Sequence, residues 1–200
     1  MLARRDPADT AARLFSVAEG QGGYFTAHQA LSAGYSYRLQ NYHVNRGNWL
    51  KIDRGVFRLR NFPIWEREDL IRWTFWSLNR GVVSHDSALE FHGIGDLIPH
   101  QIHLTVPPNF RKRDGRVVLH RGLLDRSDVE RNPGFRVTAP LRTILDVADS
   151  DLDSDRFGDA VQQGLRAGRV WKSRLIEEMV RLSDRGKRRL EAALRYDEAA

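Results

Sequence analysis

Between Gly20 and Arg60 the chain has no room for a long helix or a wide sheet. "GQGG" at 20–23, Gly34 and Gly47 cut it into short pieces. Thr26 stands before "AHQALSA" and Ser36 before "YRLQNYHVNR". A hydroxyl side chain at either place accepts a hydrogen bond from the first free amides of a helix, so two short capped helices are predicted. An earlier helix runs from Pro7 to Glu19, because Pro suits the first turn and Leu14, Phe15 and Ala18 share one face. Directly after Gly47, "WLKIDRGVFRLR" alternates in two runs around Asp53-Arg54-Gly55. That pattern predicts a hairpin, with Gly55 free to adopt the positive φ of its turn.

Three short helices followed by a two-stranded ribbon give the element order of a winged helix-turn-helix, assigned to residues 1–62. Pro63 in "NFPIW" marks the expected boundary of a second domain, residues 63–200. There "EREDLIRWTFWSLNR" and "SHDSALEFHGIG" read as helices, the latter capped by Ser84 and stopped by Gly93. "QIHLTVP" and "RVVLHRG" read as strands, joined as a hairpin through "PNFRKRDG". "GFRVTAPLRTILDVA" reads as a strand entering a helix near Pro140. Three helical stretches finish the chain: "DRFGDAVQQGLRAG", "SRLIEEMVRL" after a Ser173 cap, and "GKRRLEAALRY". The expected fold class is α+β, with a small sheet and several helices in the second domain.

Charge is unevenly spread. The net charge is +6, yet residues 1–60 hold nine Lys/Arg against four Asp/Glu, while residues 61–200 hold 23 against 22. A local basic excess around a helix pair and a ribbon points to a polyanion at that place. On a wheel of about 100° per residue, the third helix gathers Tyr37, Arg38, Asn41 and Asn45 on one side. Leu39 and Tyr42 lie on the other as the expected core anchors, and Val44 falls toward the polar side. Arg and Asn carry the donors and acceptors that read base edges and grip phosphates. In the hairpin, alternation places Lys51, Arg58 and Arg60 on an outward face, with Arg54 at the tip. These eight residues are the candidate contacts to double-stranded DNA. "RKRDGR" at 111–116 is a second basic cluster, read as a solvated turn.

Other chemistries find little support. With no cysteine there is no disulfide framework, thiol nucleophile or thiolate metal site. His85 and His92 do not stand at metal-ligand spacing, and "DSDLDSD" has Arg156 where a calcium loop needs glycine. Two residues before the four lysines stand Trp49, Phe110, Val170 and Arg185, so the acidic-x-Lys signature of metal-dependent nucleases is absent. No catalytic residue, metal ligand or cofactor is expected. "MLARRDPADTAARLF" has no apolar stretch behind its arginines, and no run approaches the ~20 apolar residues of a membrane span, so a cytoplasmic chain is expected.

"GGYFTAHQALSAGYS", "HVNRGNWLKIDRGVFRLRNFP", "VVSHDSALEFHGIGDLIPHQIHLTVP" and "FRVTAPLRTILDVA" together resemble the AbiEi-type antitoxins over about residues 8–195. The resemblance implies an antitoxin of a type IV, AbiE-like toxin–antitoxin system. It implies a winged helix that binds inverted repeats and represses its own operon, with a homodimer possible on the DNA. It also implies a following domain that counteracts a nucleotidyltransferase toxin. The family's wing motif carries over to Trp49, Lys51, Arg54, Arg58 and Arg60; Phe57 stands where the family often has Tyr. Three alternatives stay open: a stand-alone regulator whose second domain dimerises or senses a ligand, a nuclease fragment, and a protein-interaction module with an acidic partner.

Overall fold

In the computed structural model, which describes residues 6–195, the helices before the hairpin fall where the breaks and caps place them. Helix α1 (Pro7–Glu19) is capped by Asp6, whose carboxylate accepts from Ala8 N at 2.8 Å. Strand β1 (Tyr24–Thr26) follows and was not expected from the sequence. Helix α2 (Ala27–Ala33) begins with a reciprocal capping box: Gln29 N donates to Thr26 Oγ1 at 3.1 Å and Thr26 N to Gln29 Oε1 at 2.8 Å. It ends at Gly34, whose φ of +117° lets the chain turn sharply toward the next helix. Helix α3 (Tyr37–Asn45) is capped by Ser36. Strands β2 (Trp49–Asp53) and β3 (Val56–Leu59) form the hairpin.

The three strands make an antiparallel sheet in the order β1-β3-β2, so β3 is central. A small core fills the space between this sheet and the helices, with Leu14, Ala18, Phe25, Ala30, Trp49 and Phe57 buried. Aromatic geometry orders it: Phe25 meets Trp49 edge-on at 4.8 Å, and Tyr35 meets Trp49 at 4.9 Å. Helix α4 (Glu68–Trp76) packs on β1, with Phe75 stacked on Tyr24 at 5.9 Å.

The described chain forms two compact units. One contains the residues up to Arg80 together with Asn132–Phe135; the other contains Gly81–Arg131 and the residues from Arg136 onward. The boundary expected at Pro63 thus lies inside the first unit, because α4 belongs there.

The second part of the chain contributes β4 (Val82–Val83), α5 (His85–His92), β5 (Ile102–Val106), β6 (Val117–Arg121), β7 (Val129–Asn132) and β8 (Phe135–Thr138). It continues with α6 (Pro140–Ala148), α7 (Ser154–Arg166), α8 (Lys172–Glu178) and α9 (Asp184–Arg195). The sheet order is β6-β5-β4-β8-β7. β5 and β6 pair in parallel, with Ile102 opposite Val117 and Val106 opposite Arg121, which corrects the expected hairpin. The antiparallel neighbour of β5 is β4, and the long 107–116 connection carries the chain back to the start of β5 before β6 begins. The 111–116 basic cluster therefore sits on a crossover rather than at a hairpin tip. Helices α6, α7, α8 and α9 enclose an apolar core of Ile144, Val147, Phe157, Val161, Leu175 and Leu190.

Two expected caps differ. Ser84 precedes α5 but caps no amide; its Oγ accepts from Thr105 Oγ1 at 2.8 Å and meets His85 Nδ1 at 3.0 Å. Ser173 lies inside α8, which starts after Trp171 without a side-chain cap. Asp153, read as part of an acidic helix start, caps α7 by accepting from Asp155 N and Arg156 N. Tyr196, expected to end the last helix, lies outside the described residues. The structure is α+β as expected: an N-terminal region of helices and a three-stranded sheet compatible with a winged helix, and then a mixed sheet with its helices.

Candidate nucleic-acid interface

The orientation of α3 is decided by a polar residue. Gln40 is only 2 % exposed, and its Nε2 donates to Ala27 O at 3.0 Å and to Tyr35 O at 2.9 Å. A buried carboxamide is tolerated where its donors find acceptors, and here it ties α3 to the start of α2 and to the turn between them. Val44 packs on the same inner side. His43 stacks on Trp49 at 4.9 Å with planes 15° apart, and burial pushes its imidazole below the ordinary histidine range, favouring the neutral ring.

With Gln40, His43 and Val44 inside, Leu39 and Tyr42 cannot be core anchors. Both are exposed, Tyr42 at 50 %. The outer face of α3 therefore carries Arg38, Asn41, Tyr42, Asn45 and Arg46, with the exposed Tyr37 at its first turn. The Arg46 guanidinium lies 5.6 Å from the centre of the Tyr42 ring. Tyr42 and Arg46 are additions to the expected set. Gly34 and the cap at Ser36 locate the helix, but only the burial of Gln40 shows which way it is rolled.

The wing adds Lys51 and Arg54, both exposed. Asp53 Oδ1 accepts from Arg54 N at 2.7 Å, Gly55 takes a φ of +71°, and the register shifts between Lys51 and Asp53. Gly55 O accepts from Ala27 N at 2.8 Å, so the tip is tied to the first residue of α2. Arg38, Lys51 and Arg54 have no ion-pair or side-chain hydrogen-bond partner among the described residues. They stand free for an external anion.

Arg58 does not belong with them. Its residue is 4 % exposed; Nη2 donates to Glu68 Oε2 at 3.2 Å and to Phe62 O and Pro63 O at 3.1 Å each, while Nη1 donates to Leu59 O at 3.3 Å. Its Nε is 3.1 Å from Glu68 Oε1, close enough for charge attraction but at an angle that makes no hydrogen bond. The physical reason is the position of β3. A hairpin strand with one solvated face was expected, whereas β3 is central, with β1 beside it and Glu68 of α4 reaching Arg58. Tyr24 completes the cluster by donating its hydroxyl to Glu68 Oε1 at 2.9 Å, and burial raises its phenol well above the ordinary range. Arg60 is exposed, but its Nε donates to Gly47 O and so holds the α3–β2 turn. Of the eight expected contacts, the structure gathers Tyr37, Arg38, Asn41 and Asn45 on α3, places Lys51 and Arg54 on the wing, holds Arg60 by its Nε on Gly47 O, and assigns Arg58 to the interior.

A second polar cluster lies in the other unit. Asp128 accepts from Arg142 Nη1 at 2.7 Å and from Arg181 Nη2 at 2.9 Å, and Arg142 Nε donates to Asp146 Oδ1 at 2.7 Å. Asp146 is nearly buried and its Oδ2 has no partner, so burial pushes its carboxyl up to about 6. His85 and His120 stack face to face at 3.3 Å, and His120 Nε2 lies 3.2 Å from His103 Nδ1. Burial pushes His85 down to about 2 and His120 to about 4, so the rings are neutral near pH 7. His85 holds a left-handed backbone, φ +51°, which costs a non-glycine residue about 1 kcal/mol or more. Among the described residues no group of three or more His, Asp or Glu is arranged to hold a metal ion, and no helix is long and apolar enough to cross a membrane.

Comparison with known proteins gives two findings. A family model described as the AbiEi antitoxin C-terminal domain matches residues 81–196. Among solved structures, the crystal structure of the RV2827C protein from Mycobacterium tuberculosis superposes with a TM-score of 0.61 at 16% identity, covering 96% of this chain and 78% of that one. That is a likeness of fold. No curated protein matches the chain.

Proposed function

Because the chain belongs to the AbiEi antitoxin family, its C-terminal antitoxin domain spanning residues 81–196, we propose that it is a DNA-binding antitoxin that represses its own operon. In this reading α3 enters the major groove of the operator and the β2–β3 wing grips the flanking backbone. The observation that carries it is the outer face of α3. Arg38, Asn41, Tyr42, Asn45 and Arg46 are all solvent-facing on a helix locked from behind by Gln40, beside the unpartnered Lys51 and Arg54. A nine-residue helix is about 13 Å long, comparable to the width of the major groove. Cations set the affinity and the register, while the two asparagines supply the donor–acceptor pairs that favour adenine.

The second unit supplies the antitoxin function, and we assign its target to a nucleotidyltransferase toxin. One recognition helix reads too few base pairs to find a single site in a genome, which favours two copies on an inverted repeat. Mobility-shift titration with DNA from upstream of the gene tests the DNA reading. The expected outcome is a salt-sensitive complex preferring that DNA over a scrambled duplex; equal binding to both sinks the operator claim. Co-expression with the adjacent gene tests the rest. Growth rescue is expected from the full chain, and a neighbour that is harmless alone counts against the toxin assignment.

A further inference from the structure

The first unit has a concavity that DNA contact leaves unused. It measures about 650 Å³ and lies between α1, the α3–β2 turn and residues 59–63. Its floor is the buried rings of Tyr35 and Trp49, and its rim carries Phe15, half exposed, beside Phe62 with ring centroids 6.1 Å apart. Among the described residues no carboxylate lines it. Arg60 stands at one end with its Nε on Gly47 O and with no partner for its two terminal amino groups among the described residues. An apolar, aromatic hollow of several hundred Å³ with a few convergent polar groups is the usual form of a small-molecule site. Here the polar end is cationic.

We infer that this groove is an effector site for small aromatic carboxylates, the ring lying against Trp49 and the carboxylate on Arg60, and that its occupation weakens DNA binding. Charge complementarity selects the acid over a neutral ring, because the only formal charge lining the groove among the described residues is the Arg60 guanidinium. The link to DNA is His43. It belongs to α3, lines the groove, stacks on Trp49 and takes a 3.1 Å hydrogen bond with Asn48. A ring inserted beside Trp49 competes for the surface that seats His43, and so disturbs the roll of α3 that Gln40 otherwise fixes. By linkage, DNA must then weaken the ligand by the same factor. The coupling rests on the DNA-binding reading; the groove's affinity for the acid does not.

The test uses the full chain with 2-naphthoate and its neutral analogue 2-naphthamide as probes, followed by calorimetry. Binding of the acid at least tenfold tighter than the amide is expected, with Arg60→Gln reducing the preference below twofold. Ala12→Trp, at an exposed α1 position lining the groove, fills it and abolishes both without touching the core. Saturating naphthoate is expected to raise the operator dissociation constant threefold or more in the parent chain and to leave Ala12→Trp unaffected. Four results overturn the proposal: no binding at millimolar probe, equal affinity for acid and amide, undiminished binding by Ala12→Trp, or a dimer that Ala12→Trp splits while the acid does not bind. Naphthoate binding with unchanged DNA affinity overturns the effector role. If no duplex binds at all, the DNA reading fails and the naphthoate titration alone decides the site.

Discussion

Arg58 and Glu68 meet as an ion pair with the arginine buried, Nη2 standing 3.2 Å from Oε2, and three backbone carbonyls accept from Nη1 and Nη2. A buried pair contributes little net stability compared with apolar packing, but removing one partner strands the other. Arg58→Ala is therefore expected to lower unfolding stability by about 3 kcal/mol or more. Glu68→Gln, at a position open to some solvent, is expected to cost about 1 kcal/mol through its weakened hydrogen bonds. Urea denaturation measures both. DNA affinity of the folded fraction should stay within twofold of the parent; a stable Arg58→Ala protein with lost DNA binding would return Arg58 to the interface.

Gln40 makes a second prediction about architecture. Gln40→Leu keeps the bulk and removes the two bonds to Ala27 O and Tyr35 O. Buried carbonyls losing a partner cost about 1–3 kcal/mol, and α3 loses what fixes its roll. The expected result is reduced stability together with a loss of operator preference larger than the loss of non-specific affinity. Unchanged operator preference would show that Gln40 does not orient the helix.

The local signals of the first unit were legible because they are short-range. Thr26 with Gln29, Gly34 and Ser36 each satisfy groups within a few residues, so their effect does not wait on the rest of the fold. β1 was invisible because three residues carry no alternation; it forms because β3 has a free edge. Arg58 reads as a surface cation from sequence because alternation along β3 cannot show what covers its far side. Leu39 and Tyr42 looked like core residues on hydropathy alone, and the hydrogen-bonding need of two backbone carbonyls outweighed that by drawing Gln40 inward. The parallel pairing of β5 with β6 and the meeting of His85, His103 and His120 are long-range facts without a spacing signature. Pairing direction depends on which edge is already taken, and three histidines 17 or 18 residues apart converge only once the sheet is built.

Asp146 predicts an unusual pH dependence. Its folded pKa, about 6, lies above the ordinary value of 3.8, so the folded state binds a proton that the unfolded state does not between roughly pH 4 and 6. This contribution favours folding at low pH and is lost as pH rises through 6. His85 and His120 act in the opposite sense. Their folded values are depressed, so their stabilisation is present above about pH 6.5 and is lost on acidification. The acid loss from the histidines is thus partly offset by Asp146. Removing that offset in Asp146→Asn should steepen the fall in stability between pH 6 and 4 by about 1.4 kcal/mol per pH unit relative to the parent. Urea midpoints at pH 4, 5, 6 and 7 decide it, and parallel curves for the two proteins would mean that Asp146 titrates normally.

The division of labour between α3 and the wing can be read from salt dependence. Four cations of the proposed interface, Arg38, Arg46, Lys51 and Arg54, are exposed and face no acid partner among the described residues. If each neutralises one phosphate, log Kd should rise with log salt at a slope of about 3.6 per protomer. Arg54→Ala and Lys51→Ala should each reduce that slope by about 0.9 and weaken operator and scrambled duplexes alike. Asn41→Ala and Asn45→Ala should leave the slope unchanged and lose about 1–3 kcal/mol on the operator alone. Tyr42→Phe separates two roles for the ring beside Arg46. If the ring only supports the guanidinium, operator binding is kept, whereas a hydroxyl contact to DNA makes this variant as weak as Tyr42→Ala. Should Asn41→Ala and Asn45→Ala lower affinity equally on both duplexes, α3 grips the backbone without reading bases, and the operator preference must come from DNA shape or from the wing.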